Sequence, residues 1–117
     1  MNHHHIGINV RSLEESKEFY KRVFGFKEGF STVIGVEKIL FLQKDGEWLE
    51  LIEDLDPAPS PSRIHFALEV DDLEGEMERI SGEGVQPVEG PIHLPNGWKA
   101  VFYEGPDREV IELIMVE

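Results

Sequence analysis

The feature that most constrains this chain is that it says the same thing twice. His5-Ile6-Gly7-Ile8-Asn9-Val10 reads against His65-Phe66-Ala67-Leu68-Glu69-Val70 at an offset of 60 residues, and Leu13-Glu14 falls on Leu73-Glu74 at the same offset. Near the end of each half, Leu49-Glu50-Leu51-Ile52 is echoed by Ile111-Glu112-Leu113-Ile114 at an offset of 62. Two echoes in the same order and at nearly the same spacing imply two copies of one supersecondary unit. At 117 residues the chain is the size of one ordinary domain. It therefore reads as a single domain, 1–117, with a first module at about 3–53, a linker at 54–62 and a second module at about 63–117. Pro57, Pro59 and Pro61 exclude helix and central strand from the linker.

Each module opens with alternation. Ile6, Ile8 and Val10 point to one face of a strand while His5, Gly7 and Asn9 point to the other. A helix follows, capped by Ser12 with Glu15 three residues on. Its buried stripe is Leu13, Ser16, Tyr20, Val23 and Phe24, and Gly25 stops it. The second copy has Asp71 or Asp72 as cap, Leu73, Met77 and Ile80 as stripe, and Gly82 as stop. Strands are expected at 27–34, 37–43 and 47–53, with Asp45-Gly46 turning the last hairpin. In the second module they are expected at 85–88, 98–103 and 109–115, with a Pro- and Gly-rich loop at 90–97 and a turn at Gly105-Pro106-Asp107. The unit is βαβββ, repeated.

Strand parity then selects candidate chemistry. If the apolar residues of the first strands pack on the helices, His5 and His65 face away from them. Leu49 and Leu51, and Ile111 and Leu113, likewise claim the helix side, leaving Glu50 and Glu112 on the opposite face. Each module thus offers one imidazole and one carboxylate on its non-helix face. If the copies pair about a pseudo-twofold axis, four donors converge. Mixed N and O donors suit a divalent transition metal with positions left for water.

Composition closes off other classes. The chain carries 24 acidic against 11 basic side chains, a net charge of −13 that repels phosphate backbones, so no nucleic-acid role is expected. No cysteine is present, which excludes disulfides, zinc ribbons and thiol catalysis and fits a cytoplasmic protein. No apolar run approaches a membrane span and no signal peptide is evident, so no membrane partner is expected.

The segments HHIGINVRSLEESKEFYKRVFGF, WLELIE, IHFALEVDDLEGEMERI and PDREVIELI resemble the vicinal oxygen chelate superfamily. That group includes glyoxalase I, methylmalonyl-CoA epimerase, extradiol dioxygenases and fosfomycin- and bleomycin-resistance proteins. The resemblance implies an α+β fold of two tandem βαβββ modules, a U-shaped mixed sheet around a metal site with helices outside. By motif position the metal ligands it implies are His5, Glu50, His65 and Glu112, the four-ligand pattern of glyoxalase I. It implies one divalent ion per site (Zn, Ni, Co, Mn or Fe) and a lyase, isomerase or epimerase acting on a small oxygenated carbonyl compound through a metal-stabilised enediolate. Glu112 or Glu50, released from the metal, is the implied base. The alternatives are an extradiol-type Fe(II) dioxygenase, which needs only three ligands, and a non-catalytic small-molecule-binding or antibiotic-resistance protein. Single-domain members usually pair, so a homodimer is implied. Two departures stand out: the acidic run Glu53-Asp54-Leu55-Asp56, which speaks against a glutathione thioester, and Gly105-Pro106-Asp107-Arg108 in place of the usual Asp-Pro-Asp-Gly turn.

The remaining polar candidates read more plainly. His3 and His4 are taken as terminal and non-functional, and His93 as a surface-loop histidine. Trp48 and Ile52 share the Glu50 face and Val110 and Ile114 the Glu112 face, where they would line an apolar pocket or a subunit contact. Trp98 and Lys99 are further candidates for touching substrate, although the parity of their strand is not fixed by the sequence.

Overall fold

In the first unit, alternation and capping act as the sequence implies. The computed structural model describes residues 3–55 and 64–116, so most of the linker expected at 54–62 lies outside the described residues. The chain divides into two compact units, Met1–Ser60 and Pro61–Glu117. The first contains β1 (His5–Val10), α1 (Leu13–Phe24), β2 (Lys27–Ile34), β3 (Glu37–Lys44) and β4 (Glu47–Glu53). The second contains β5 (His65–Glu69), α2 (Leu73–Gly82), β6 (Glu89–His93), β7 (Lys99–Glu104) and β8 (Val110–Met115). Each unit folds into one four-stranded mixed sheet, with orders β1-β4-β3-β2 and β5-β8-β7-β6. The first and last strands of each unit pair in parallel and the other neighbours pair antiparallel. The fold is α+β, two tandem βαβββ modules. No helix among the described residues is long and apolar enough to cross a membrane.

The helix ends follow local chemistry. Ser12 holds an extended backbone, and its hydroxyl accepts from the Glu15 N–H at 3.1 Å. The Leu13 N–H, another donor orphaned at the helix start, is taken by Glu53 Oε2 at 3.0 Å, which ties α1 to the end of β4. Gly25 sits in the left-handed region at φ 75°, and Phe26 N–H donates to the Tyr20 carbonyl at 3.1 Å, closing a Schellman stop. The inner face of α1 buries Ser16, Tyr20, Val23 and Phe24, while Leu13 is half-buried. With Ile8, Val10, Leu42, Leu49 and Leu51 these make the first core. Across the outer edge, Lys21 and then Lys17 hold the Glu28 carboxyl below the usual range, Lys21 through a 3.0 Å hydrogen bond. That exposed pairing adds little stability.

In the second unit Asp72, one of the two expected caps, caps α2, accepting from Gly75 N–H at 3.1 Å. The unit departs from expectation at two element boundaries. The stop is not Gly82, which stays helical, but Gly84 at φ 82°; two glycines bracket this helix end, and only the second takes the left-handed conformation. The sixth strand is Glu89–His93 rather than 85–88, so the expected loop at 90–97 shrinks to a turn closed by Leu94 and Gly97. Pro91 marks this segment as loop-like, but β6 is an edge strand, where a missing N–H leaves no ladder bond broken. Gly90, at φ 92°, sits where the pairing register shifts, and a Cβ there would lie 2.9 Å from the Ala100 carbonyl oxygen. The core holds Phe66, Leu73, Ile80, Val101, Tyr103, Ile111 and Leu113. Met77 is only half-buried.

The turn before β8 is closed by a buried carboxylate. Glu109 is only 1% exposed. Its Oε1 accepts from Asp107 N–H at 2.9 Å, and its carbonyl accepts from Gly105 N–H at 2.8 Å. Arg108 occupies the left-handed region at φ 66°. A non-glycine side chain there costs roughly 1–2 kcal/mol, against about 0.5–1 kcal/mol for the entropy glycine loses on folding. Arg108→Gly is therefore expected to raise stability by about 0.5 kcal/mol. Thermal unfolding checks this, and a fall in melting temperature would contradict it.

Candidate functional site

The registers put each histidine beside its glutamate. In the first unit His5 pairs with Trp48 and Gly7 with Glu50, so the Glu50 side chain rises over the one β1 position that has no Cβ. A Cβ on Gly7 would come within 2.7 Å of Glu50 Oε1. That vacancy lets the carboxylate lean toward the ring, bringing His5 Nε2 to 3.4 Å from Glu50 Oε1. The other ring nitrogen, His5 Nδ1, lies 2.9 Å from His4 Nδ1, with the two rings edge to face at 85°. His4, expected from sequence to be non-functional, contacts the His5 ring through this nitrogen and leaves Nε2 on the Glu50 side.

The second unit repeats the arrangement. Ala67 pairs with Glu112 and His65 with Val110, and His65 Nε2 lies 2.7 Å from Glu112 Oε1. Both carboxylates are the more sheltered partners: side-chain exposure is 15% for Glu50 and 12% for Glu112, against 34% for His5 and 51% for His65. The imidazoles therefore meet solvent while the acids sit down on the sheet.

The donor chemistry of each pair fits a divalent ion. An imidazole nitrogen and a carboxylate oxygen bound to one ion at about 2.0–2.2 Å lie about 3.0 Å apart at a right angle and about 3.4 Å apart at a tetrahedral angle. The His5–Glu50 separation of 3.4 Å is that bite without rearrangement. The His65–Glu112 pair, at 2.7 Å, is closed to hydrogen-bond length and would have to open slightly to hold an ion. Among the described residues, however, no three His, Cys, Asp or Glu side chains come together. The structure brings the four sequence candidates together as two pairs.

A third element of each pair escaped the sequence reading. Phe41 lies opposite Glu50 in the register, with its ring edge to face with His5 at 5.3 Å. Phe102 lies opposite Glu112, with its ring 6.0 Å from His65. The signal was available: Ile39-Leu40-Phe41-Leu42 matches Ala100-Val101-Phe102-Tyr103 at an offset of 61, between the two offsets that defined the repeat. Of the other candidates, Trp48 and Ile52 share the Glu50 face, and Val110 and Ile114 the Glu112 face, as expected. Lys99 pairs with Met115 and His93 with Lys99, so both lie on the face opposite Glu112 and leave the site. Trp98 precedes β7 and is 39% exposed.

Set against known proteins, residues 2–113 match the sequence model of the Glyoxalase/Bleomycin resistance protein/Dioxygenase superfamily. The chain belongs to that superfamily. Within it, the chain is 34% identical over 116 residues to the uncharacterized protein YwbC of Bacillus subtilis, covering 92% of each chain. It is 31% identical over 114 residues to the mitochondrial methylmalonyl-CoA epimerase of Dictyostelium discoideum, covering 87% of this chain and 69% of the relative. Among solved structures, an integron cassette protein from the mobile metagenome of the Halifax Harbour Sewage Outfall superposes with a TM-score of 0.80 at 19% identity, covering 97% of each chain. The fosfomycin resistance protein FosX of Listeria monocytogenes, complexed with Mn(II) and sulfate, superposes with a TM-score of 0.76 at 21% identity, covering 99% of this chain and 93% of that one. At these identities the structural likenesses establish the glyoxalase-superfamily fold and nothing finer.

Proposed function

We propose that this glyoxalase-superfamily protein is a metal-dependent enzyme that moves a proton on a small oxygenated carbonyl compound, as a lyase, isomerase or epimerase. The observation that carries the reading is the matched pair: an imidazole and a carboxylate at equivalent registers of both modules, each at or near the spacing of two donors on one ion. His5, Glu50, His65 and Glu112 are the proposed ligands of one divalent ion, Zn, Ni, Co, Mn or Fe. The epimerase relative supports proton-transfer chemistry, and the Mn(II) complex of FosX supports a metal on this fold.

When bound, the ion supplies Lewis-acid stabilisation of charge developing on the substrate oxygens. The residues do the rest. His5, in contact with His4 through Nδ1, and His65 hold their Nε2 atoms toward Glu50 and Glu112, where an ion would be held. Phe41 and Phe102 pack against the imidazoles and keep water from one side of each ring. Glu112 or Glu50 takes the proton alpha to the carbonyl on a carboxylate oxygen and returns it, to the same or the neighbouring carbon, to give epimer or isomer. A dioxygenase would work with three of these ligands, whereas both modules keep a complete pair. The working unit proposed is a homodimer: Val33, Ile34 and Val36 expose apolar surface along the β2–β3 hairpin, whose outer strand is a sheet edge.

Protein purified without a histidine tag is expected to carry close to one divalent ion per chain by elemental analysis. Chain that stays metal-free after incubation with each of the candidate ions would overturn the reading.

A further inference from the structure

Beside the His5–Glu50 pair, the first unit carries an aromatic group that its helix-side core does not use. Phe30 stacks on Phe41 with ring centroids 4.8 Å apart and planes 17° from parallel. Trp48 stands across both rings, 6.3 Å from Phe30 at 68° and 6.2 Å from Phe41 at 81°. Phe41 touches the His5 ring, so the three aromatics run directly into the proposed metal ligands. Phe30 is 55% exposed, so much of its surface, beyond the part stacked on Phe41, meets solvent. An apolar wall with one convergent polar pair at its margin has the composition of a small-molecule site rather than of ordinary surface.

Two further observations separate this cluster from incidental packing. Gly29 sits at the register shift between β2 and β3, and a Cβ there would fall 2.5 Å from Trp48 Cζ3 and 2.8 Å from the Phe41 carbonyl oxygen. The indole therefore lies over bare backbone, a placement that no other residue at 29 permits without moving the ring. The cluster is also one-sided. The second unit repeats Phe102, but the positions that answer to Phe30 and Trp48 hold Pro91 and Val110.

We propose that Phe30, Phe41 and Trp48 form a subsite for a planar apolar group, an aryl or conjugated substituent carried by the oxygenated carbonyl compound. The proposal rests on the metal-enzyme reading above and names its substrate class. A flat ring stacks on an aromatic face or meets its edge with more attraction than an aliphatic group of equal area. The open side of Phe30 and the indole standing across it offer both contacts.

The test uses two chelators with the same donor oxygens, acetohydroxamate and benzohydroxamate, titrated calorimetrically into Zn(II)-loaded protein. Benzohydroxamate is expected to bind at least about tenfold more tightly. In Phe30→Ala and in Trp48→Ala the preference is expected to fall to about threefold or less, with acetohydroxamate affinity kept within about twofold. Gly29→Ala is expected to reduce the preference in the same direction. A wild-type preference near unity, or one that survives both ring deletions, overturns the subsite. So does a Phe30→Ala variant that keeps the preference but halves the mass in light scattering, since the ring would then be a subunit contact. If acetohydroxamate fails to bind, the metal reading fails separately. The subsite is then judged on metal-free Trp98→Phe protein by indole fluorescence, with benzoate expected to bind more tightly than cyclohexanecarboxylate; equal or absent binding of the two overturns it.

Discussion

His65→Ala is expected to lose at least about a hundredfold in metal affinity while the fold stays intact, because His65 is a proposed ligand and not a core residue. Its side chain is 51% exposed, and the burial that holds β5 comes from Phe66 on the other face. Circular dichroism and melting temperature should therefore match the parent within a few degrees. His65 is a sharper probe than His5, whose ring also contacts His4 and Phe41, so that its loss disturbs more than one neighbour. Isothermal titration with Zn(II) or Mn(II) reads the effect directly. Unchanged stoichiometry and affinity in His65→Ala would remove His65 from the metal site.

The second large effect is expected from the carboxylates. Glu50→Gln and Glu112→Gln keep size and one oxygen donor but remove the basic oxygen. At least one of them is expected to lose about 10²-fold or more in turnover while metal remains bound. The acids are sheltered, at 15% and 12% exposed, and each is set against a histidine nitrogen, so the neutral amide still finds a hydrogen-bond partner and misfolding does not explain the loss. If both variants keep near-parent rates on a true substrate, neither glutamate is the base.

How much of this was legible in the sequence depends on what each feature needs. The βαβββ repeat was readable because alternation, Ser12 and Gly25 act within a few residues of themselves, and because Leu49, Leu51, Ile111 and Leu113 commit their strands to one face. Parity puts His5 and Glu50, and His65 and Glu112, on one face of each sheet; their adjacency comes from the parallel pairing of the first and last strands of each unit, which the sequence does not specify. The sixth strand falls at Glu89–His93 instead of the expected 85–88 because Pro91 and Gly90 are loop signals everywhere except on an edge, and edge position is a property of the assembled sheet. Gly82 and Gly84 are equivalent stops by composition; only backbone geometry distinguishes them. Lys99 fell out because the face of β7 is set by its pairing with β8, not by its own sequence. His4 was dismissed as terminal, and its contact with His5 depends on how the chain enters β1. Phe41 and Phe102 stand at equivalent places of the repeat, but a phenylalanine does not announce which face it occupies, and only the pairing of β3 with β4 and of β7 with β8 sets them beside Glu50 and Glu112.

The central claim is that metal and glutamate together labilise a carbon-bound proton. Its most direct test is solvent exchange, followed by proton NMR, in metal-loaded protein in D₂O with a panel of aryl- and alkyl-substituted hydroxy- and oxo-carbonyl acids and thioesters. The expected result is deuterium incorporation alpha to the carbonyl in at least one compound, abolished by chelating the metal and restored by returning it. No incorporation across the panel in fully metal-loaded protein, or incorporation that persists in the metal-stripped chain, would contradict the account.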